Sequence, residues 1–409
     1  MALKRRDFLK LGVGGLSAIV LGSNLKIPGI FKGSEAYAAN LTVNLTITDA
    51  MVEMADSTPA DRREVYMWVF AALHEGVLEP HFPGPTIFAQ EGDSITINIT
   101  NALDEQHAFA VSGTRISSSA ISPGGSTSLT FSAPRAGTYI YHDPLNAPVN
   151  RVLGLHGTLV VLPATSGNIP YSNPTVQVQR LFSDLGTAPH FPGNPWNPER
   201  TWIWNFHTTD PVWNNEALAG NPIDRLEFLR DFIPSYFTIS GKSGFYSGHD
   251  HDISPFGRVG EPAVIRLVNT GLAAESPHLH ANHFYVTSIN GRIMENIFHA
   301  DTFSIFPMDR IDWMVPFIRP PDIPPVSEIL TPGSNPQRLI RLDAAEELQI
   351  TLLNGFRLSP LGYPMHDHAE PSQTASGGNY PFGSMIHLTF TGDIDGTLFP
   401  GGENFQRDH

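Results

Sequence analysis

The chain has 409 residues, 41% hydrophobic and 16% charged, ample for one or two packed cores and too polar for a membrane protein. The formal net charge is −15; the first 38 residues hold six Lys/Arg and two Asp/Glu, so removing that +4 leaves −19 and disfavours a nucleic-acid or anionic-membrane partner. There is no cysteine, which excludes disulfides, zinc–thiolate sites, iron–sulfur clusters and copper–thiolate centres.

The chain opens on Lys4-Arg5-Arg6-Asp7-Phe8-Leu9-Lys10, an apolar run from Leu11 to Leu21, and the small-X-small triplet Ala36-Tyr37-Ala38. This pattern predicts an export signal over residues 1–38. Paired arginines ahead of Phe8-Leu9-Lys10 resemble a twin-arginine signal, so the mature chain is expected to be periplasmic or extracellular. The apolar run falls short of the roughly 20 residues of a membrane span, so no stable membrane insertion is expected.

Past the signal, 36 Gly and 35 Pro favour short strands and frequent turns. Leu41 to Ile47 alternates apolar and polar residues; Glu91 to Thr100, Ser126 to Phe131, Gly137 to Tyr141 and Gly157 to Leu162 follow as strands. Such regularly spaced short strands indicate a β-sandwich, placed at 39–163. Residues 164–232 read as an irregular connector, with a strand at Thr201 to Phe206 and a helix at Asp224 to Phe232; its Trp and Phe content is too high for a free linker. A second unit is expected over 233–396 and a tail over 397–409. Its order repeats the first: Pro262 to Asn269 matches the strand ending at Asn101, each precedes a loop leading to a histidine (His107 or His278), and Gly137 to Asp143 matches Leu361 to Asp367. An insertion is expected in the second copy around Phe317 to Gln337.

Two His-X-His pairs stand out, His278-Leu279-His280 and His366-Asp367-His368. Strand side chains alternate, so each pair presents both rings on one face, able to share one metal or bridge two. His249-Asp250-His251-Asp252 reads as a solvated turn, His156 as a packing residue and His283 as a surface or supporting histidine.

Phe82-Pro-Gly-Pro-Thr-Ile with Glu91-Gly-Asp, Gly137-Thr-Tyr-Ile-Tyr-His, Pro277-His-Leu-His-Ala-Asn-His-Phe, Asp301-Thr-Phe with Met308-Asp-Arg, and Met365-His-Asp-His resemble the cupredoxin domains of multicopper oxidases and copper nitrite reductases. The resemblance implies an all-β chain of two Greek-key cupredoxin β-sandwich domains joined by the connector. It also implies type 2 and type 3 copper at a domain interface, held here by His107, His142, His278, His280, His366 and His368, with His107 and His278 as the type 2 pair. Where the family's type 1 copper has Cys and His, this chain has Asp367, Glu275 and Ser372, and Asp143 replaces the first-domain cysteine of nitrite reductases. The expected cofactor is therefore copper without a type 1 centre. The expected function is a copper-dependent oxidoreductase whose small-molecule substrate or O2 meets the site directly; Glu370 and Gln373 are expected first to hydrogen-bond within the Gly-rich loop from Ser372 to Gly383, and Glu370 is the candidate for delivering protons. Non-catalytic copper storage or delivery and a metal-free envelope scaffold are the alternatives. Two-domain relatives form the site between protomers of a trimer and larger relatives form it within one chain; the connector permits either, so a monomer and a homotrimer both stand as assemblies to test.

Overall fold

The structure, a computed structural model, describes residues 18–20, 40–55, 60, 62–74, 77–165, 167–187, 191–319, 361–374, 383–396 and 398. Apart from Ala18–Val20, the expected signal lies outside the described residues, as do the expected insertion beyond Arg319 and all of the expected tail but Leu398.

Ten strands form the first sandwich: β1 (Ala18–Val20), β2 (Asn40–Met54), β3 (Arg63–His74), β4 (Val77–Glu79), β5 (Gly84–Gln90), β6 (Ser94–Asn101), β7 (Ala110–Val111), β8 (Ser126–Ser132), β9 (Gly137–His142) and β10 (His156–Leu162). They make two five-stranded sheets, ordered β1-β5-β10-β9-β7 and β4-β3-β2-β6-β8. Alternation sets the faces. Leu41, Val43, Leu45 and Ile47 of β2 and Ile95, Ile97 and Ile99 of β6 point into a core shared with Phe70, Phe109 and Tyr141. The outward Asn98 and Thr96 bond across strands to Asn44 and Thr130. Strand β10 is buried along its whole length between β5 and β9.

Eleven strands form the second sandwich: β11 (Thr201–Thr209), β12 (Tyr236–Ile239), β13 (Lys242–Ser243), β14 (Phe256–Arg258), β15 (Ala263–Asn269), β16 (Pro277–Leu279), β17 (Phe284–Ile289), β18 (Arg292–Ala300), β19 (Arg310–Val315), β20 (Leu361–Asp367) and β21 (Met385–Gly392). A seven-stranded sheet, β13-β12-β11-β15-β19-β17-β18, faces a four-stranded one, β14-β21-β20-β16, over a core containing Trp204, Trp313, Phe284, Leu279 and Met365. The expected strand at Thr201 forms as β11, which pairs with both β12 and β15 in the middle of this sheet. The expected helix forms at Arg225–Asp231, where the Asp224 carboxylate caps it by accepting from the Leu226 and Glu227 N–H groups.

The two sandwiches meet along a polar seam. Thr138 of β9 donates to Asp312 of β19 at 2.6 Å, and Arg266 of β15 reaches both Thr138 and Asp312 at 3.1 Å, all buried. Nearby, His156 of β10 and His207 of β11 stack at 4.5 Å, and the Arg151 guanidinium donates to the carbonyls of Thr270 and Gly271. His156 is therefore a packing residue of the seam.

Candidate metal centre

Strands β16 and β20 pair antiparallel with His278 opposite His366, while the alternate residues Leu279 and Met365 enter the core. Alternation thus turns His278 and His366 to one side, and His280 and His368 follow at the strand ends. Ring centroids stand 4.8 Å apart for His278 and His280, 5.1 Å for His280 and His366, 4.8 Å for His278 and His368, and 5.0 Å for His366 and His368. One ligand nitrogen from each of His278, His280 and His366 lies within 4.8 Å of the others, the one such metal-ligating group among the described residues.

The separations suit an ion. Two imidazole nitrogens bound at about 2.0–2.1 Å with an angle near 100° stand roughly 3 Å apart. His280 Nε2 and His366 Nε2 are 3.1 Å apart. Protonation states suit it as well: burial, reinforced by the neighbouring histidines, holds His280 and His366 below the ordinary histidine range, so they present neutral imidazole at neutral pH. His278 Nδ1 lies 2.8 Å from Thr302 Oγ1 and 3.1 Å from the Asp301 carbonyl, and His366 Nδ1 lies 3.1 Å from the Asp367 carbonyl. Those contacts fix the rings and leave each Nε2 as the ligand atom. The donor set and its spacing fit copper, which imidazole suits.

His107 and His142 are not members of this group, and the internal duplication explains why. Asn101 Nδ2 donates to the Glu105 and Ile121 carbonyls at 2.6 and 3.0 Å; Asn269 Nδ2 donates to those of Ala273 and Ile305 at 2.8 and 3.1 Å. His107 bridges to Ile121 as Glu275 bridges to Ile305. Ala110 pairs with His142 as His278 pairs with His366. Within one chain, then, His107 corresponds to Glu275 and the counterparts of His278 and His280 are Ala110 and Ser112. The expected match of His107 with His278 is three residues out of register. His107 is fully buried against Trp68, its Nδ1 is 2.7 Å from Asp143 Oδ2, and its Nε2 is buried with no partner. His142 keeps the counterpart position of His366, and its pKa is lowered, chiefly by burial and further by Arg151.

The duplication also explains the two aspartates where the resemblance puts cysteine. Asp143 Oδ1 accepts from the N–H groups of Ala108 and Leu145 at 3.1 and 2.9 Å, and Oδ2 accepts from His107 and from Asn150 at 2.9 Å. Asp367 Oδ1 accepts from Ser276 and Ala369 at 2.6 and 2.9 Å, tying the His278 strand to the His366-X-His368 segment. Its Oδ2 and both Glu275 oxygens are buried with no N–H or hydroxyl donor. Burial and the facing Asp367 carboxyl push Glu275 well above the carboxylate range, so its own proton serves the pair.

The remaining candidates separate cleanly. Glu370 opens a short helix, Glu370–Gln373, with its side chain exposed, and Gln373 Nε2 is used by the Asp367 carbonyl at 2.8 Å. His249 is not in a turn: it ends the short helix Gly244–His249, where it stacks on Phe245 at 4.1 Å with its Nδ1 2.8 Å from that residue's carbonyl. Asp301 and Thr302, which orient His278, carried no role in the sequence; their signal was the motif beginning at Asp301, without which its contact with the histidine strand is invisible.

A family profile described as multicopper oxidase matches residues 76–166. The ascorbate oxidase of Cucumis sativus is 36% identical over 116 residues, 25% of this chain and 19% of that enzyme, and the copper-containing nitrite reductase of Pseudomonas chlororaphis is 25% identical over 210 residues, 49% of this chain and 53% of that one. The chain thus spans about a fifth and about half of these two relatives. Among solved structures, the blue copper oxidase from Nitrosomonas europaea superimposes with a TM-score of 0.56 at 18% identity, covering 86% of each chain. The copper nitrite reductase from the same organism gives 0.52 at 15% identity over 89% of this chain and 98% of that one. The fold is the all-β cupredoxin fold, and the chain is similar in sequence, over part of its length, to multicopper oxidases and copper nitrite reductases. The chain itself has no cysteine.

Proposed function

We propose that this chain is an exported, copper-binding oxidoreductase in which O2 or a small-molecule substrate meets the histidine centre directly, with no type 1 relay. The convergence of His278, His280 and His366, with the His368 ring 4.8 Å from that of His278, carries this reading. Copper bound there supplies one-electron chemistry. The chain's own groups do the rest. Thr302 and the Asp301 carbonyl aim His278, Asp367 locks the two ligand segments together, and His368 at the exposed rim leaves one side of the centre open to a ligand. Glu370, exposed two residues past His368, is the carboxylate we assign to proton delivery. His142, alone in its sandwich at a ligand-equivalent position, is the histidine we assign to completing the centre from another copy of a homotrimer; light scattering showing a monomer with full copper refutes that assembly.

Oxygen consumption by the copper-loaded chain, with candidate small reductants, tests the enzyme reading. Turnover abolished by His366→Ala/His368→Ala supports it. Tight stoichiometric copper without turnover gives the second reading, copper storage or delivery, which the solvent-open His368 favours. Failure to retain copper leaves a metal-free envelope scaffold.

A further inference from the structure

Among the described residues, most open sheet edges are short or charged. Strands β1, β4, β7, β13, β14 and β16 have two or three residues each, and the nine-residue β18 carries Arg292 and Glu295. Such edges resist pairing with another chain. Strand β8 differs: its seven residues, Ser126-Thr-Ser-Leu-Thr-Phe-Ser132, include no charge, proline or glycine, and it pairs on one side only, with β6. The ladder to β6 shows which groups are left open. The Asn101 N–H donates to the Gly125 carbonyl at 2.9 Å, and the Ala133 N–H donates to the Asp93 carbonyl at 2.7 Å. Hydrogen-bonded pairs recur at every second residue, so Thr127, Leu129 and Phe131 bond to β6. Ser126, Ser128, Thr130 and Ser132 therefore direct their N–H and C=O groups away from the sheet, where no described residue bonds them. Their side chains are exposed, while Leu129 and Phe131 are half-buried against the core of the first sandwich.

We propose that β8 is a self-pairing edge: a second copy of this chain docks its own β8 antiparallel about a two-fold axis through Leu129, joining two five-stranded sheets into one. The strand is complementary to itself in that register. Ser126 faces the partner's Ser132 and Ser128 faces the partner's Thr130, all residues whose backbone groups are open, so each such pair exchanges two hydrogen bonds. On the inner face Thr127 meets the partner's Phe131 and the two copies of Leu129 meet each other, covering apolar surface that one copy leaves half-exposed. A shift of one residue sets open backbone groups against used ones and polar side chains against apolar ones, and shifts of two residues lose overlap. Charge favours this edge as well. Two chains of net charge −15 repel, yet neither β8 nor β6 carries a charged residue. Their outer face is a ladder of neutral groups, with Thr130 2.9 Å from Thr96, Ser128 donating to Asn98 at 2.8 Å and Ser126 3.0 Å from Thr100. Strand β8 lies in the sheet opposite that of β9, so the contact is independent of His142 and of the copper reading.

The test uses the untagged full chain. Because the chain has no cysteine, Leu129→Cys introduces a single thiol opposite its own copy. Residues facing each other in a wide antiparallel pair have Cα atoms about 4.5 Å apart, within the reach of a disulfide. Mild oxidation should give a disulfide-linked dimer on non-reducing electrophoresis, whereas Thr100→Cys, exposed on the next strand, should not. Ser128→Lys/Thr130→Lys sets lysines against lysines across the axis and should weaken self-association by at least about ten-fold. At concentrations where the parent pairs, sedimentation equilibrium should give it twice the mass of this variant, whether the variant is one chain or a trimer. Both positions are exposed, so the variant's unfolding midpoint should not move. Equal masses for parent and variant at every concentration, or a Leu129→Cys chain that cross-links no better than Thr100→Cys, overturns the proposal. So does a parent that holds an extended peptide along β8 in place of its own copy.

Discussion

The two interior aspartates occupy equivalent places, yet they should respond oppositely to one substitution. Each offers Oδ1 to two backbone N–H groups, an acceptor that asparagine retains. The difference is at Oδ2. In Asp143 it accepts from His107 Nδ1 at 2.7 Å and Asn150 Nδ2 at 2.9 Å, two donors fixed in a fully buried place. Asp143→Asn turns an NH2 toward two N–H donors, removing two hydrogen bonds to a charged acceptor and leaving buried donors unpaired. At about 1.5 kcal/mol or more for each, the loss is about 3–4 kcal/mol. In Asp367 the same oxygen faces only the Glu275 carboxyl, which burial and that neighbour force to keep its proton. Asp367→Asn gives Glu275 a donor and removes the like-charge conflict, so its effect should lie within about 1 kcal/mol of zero, of either sign. Urea unfolding of the metal-free variants at pH 7.5, followed by tryptophan fluorescence and far-UV circular dichroism, measures the difference. Equal losses, or a larger loss at Asp367, would refute the account of the two sites.

Three further outcomes follow from the same contacts. Burial lowers His207 to about 3 and His156 well below its ordinary value; the unfolded chain protonates first, so stability is complete above about pH 6.5 and is lost as pH falls toward 3. His207 alone removes about 3 kcal/mol by pH 4.5, and His207→Gln should flatten the pH dependence of urea midpoints; parallel curves for parent and variant would contradict this. Bound copper should be stable at pH 7 and fall away below about pH 6, where protons compete for neutral imidazoles; equilibrium dialysis showing undiminished copper at pH 4 would rule out a histidine-only inner sphere. Gly157→Ala drives a methyl group into the Tyr141 ring between β9 and β10 and should lower stability by about 1–3 kcal/mol, read as a depressed melting temperature; an unchanged one would mean that the Tyr141 ring yields freely.

Much of this architecture was legible in the sequence because it rests on local chemistry. The alternation in Leu41 to Ile47, the cap at Asp224 and the strand at Pro262 to Asn269 each announce themselves within a few residues. The two His-X-His pairs were visible for the same reason. What stayed hidden depends on where side chains close distant contacts. Histidine is the conspicuous residue after both Asn101 and Asn269, so matching His107 to His278 was natural; only the amide bonds of those asparagines to the Ile121 and Ile305 carbonyls set the loop register and put His107 opposite Glu275. Strand β11 was read correctly as a strand, but its place between β12 and β15 is a matter of non-local pairing that no window of sequence contains. The closeness of Asp301 to His278 and the stacking of His299 on His283 likewise arise from strands meeting across chain intervals of about twenty residues.

The most direct test of the central claim is the copper content and paramagnetic resonance spectrum of the full chain loaded with Cu2+ and washed, compared with the His366→Ala/His368→Ala variant. The account predicts at least one tightly held copper per chain with a nitrogen-ligated spectrum, no blue type 1 signal, and its loss in the variant. A washed parent protein that keeps no copper, or a variant that keeps as much as the parent, would contradict it.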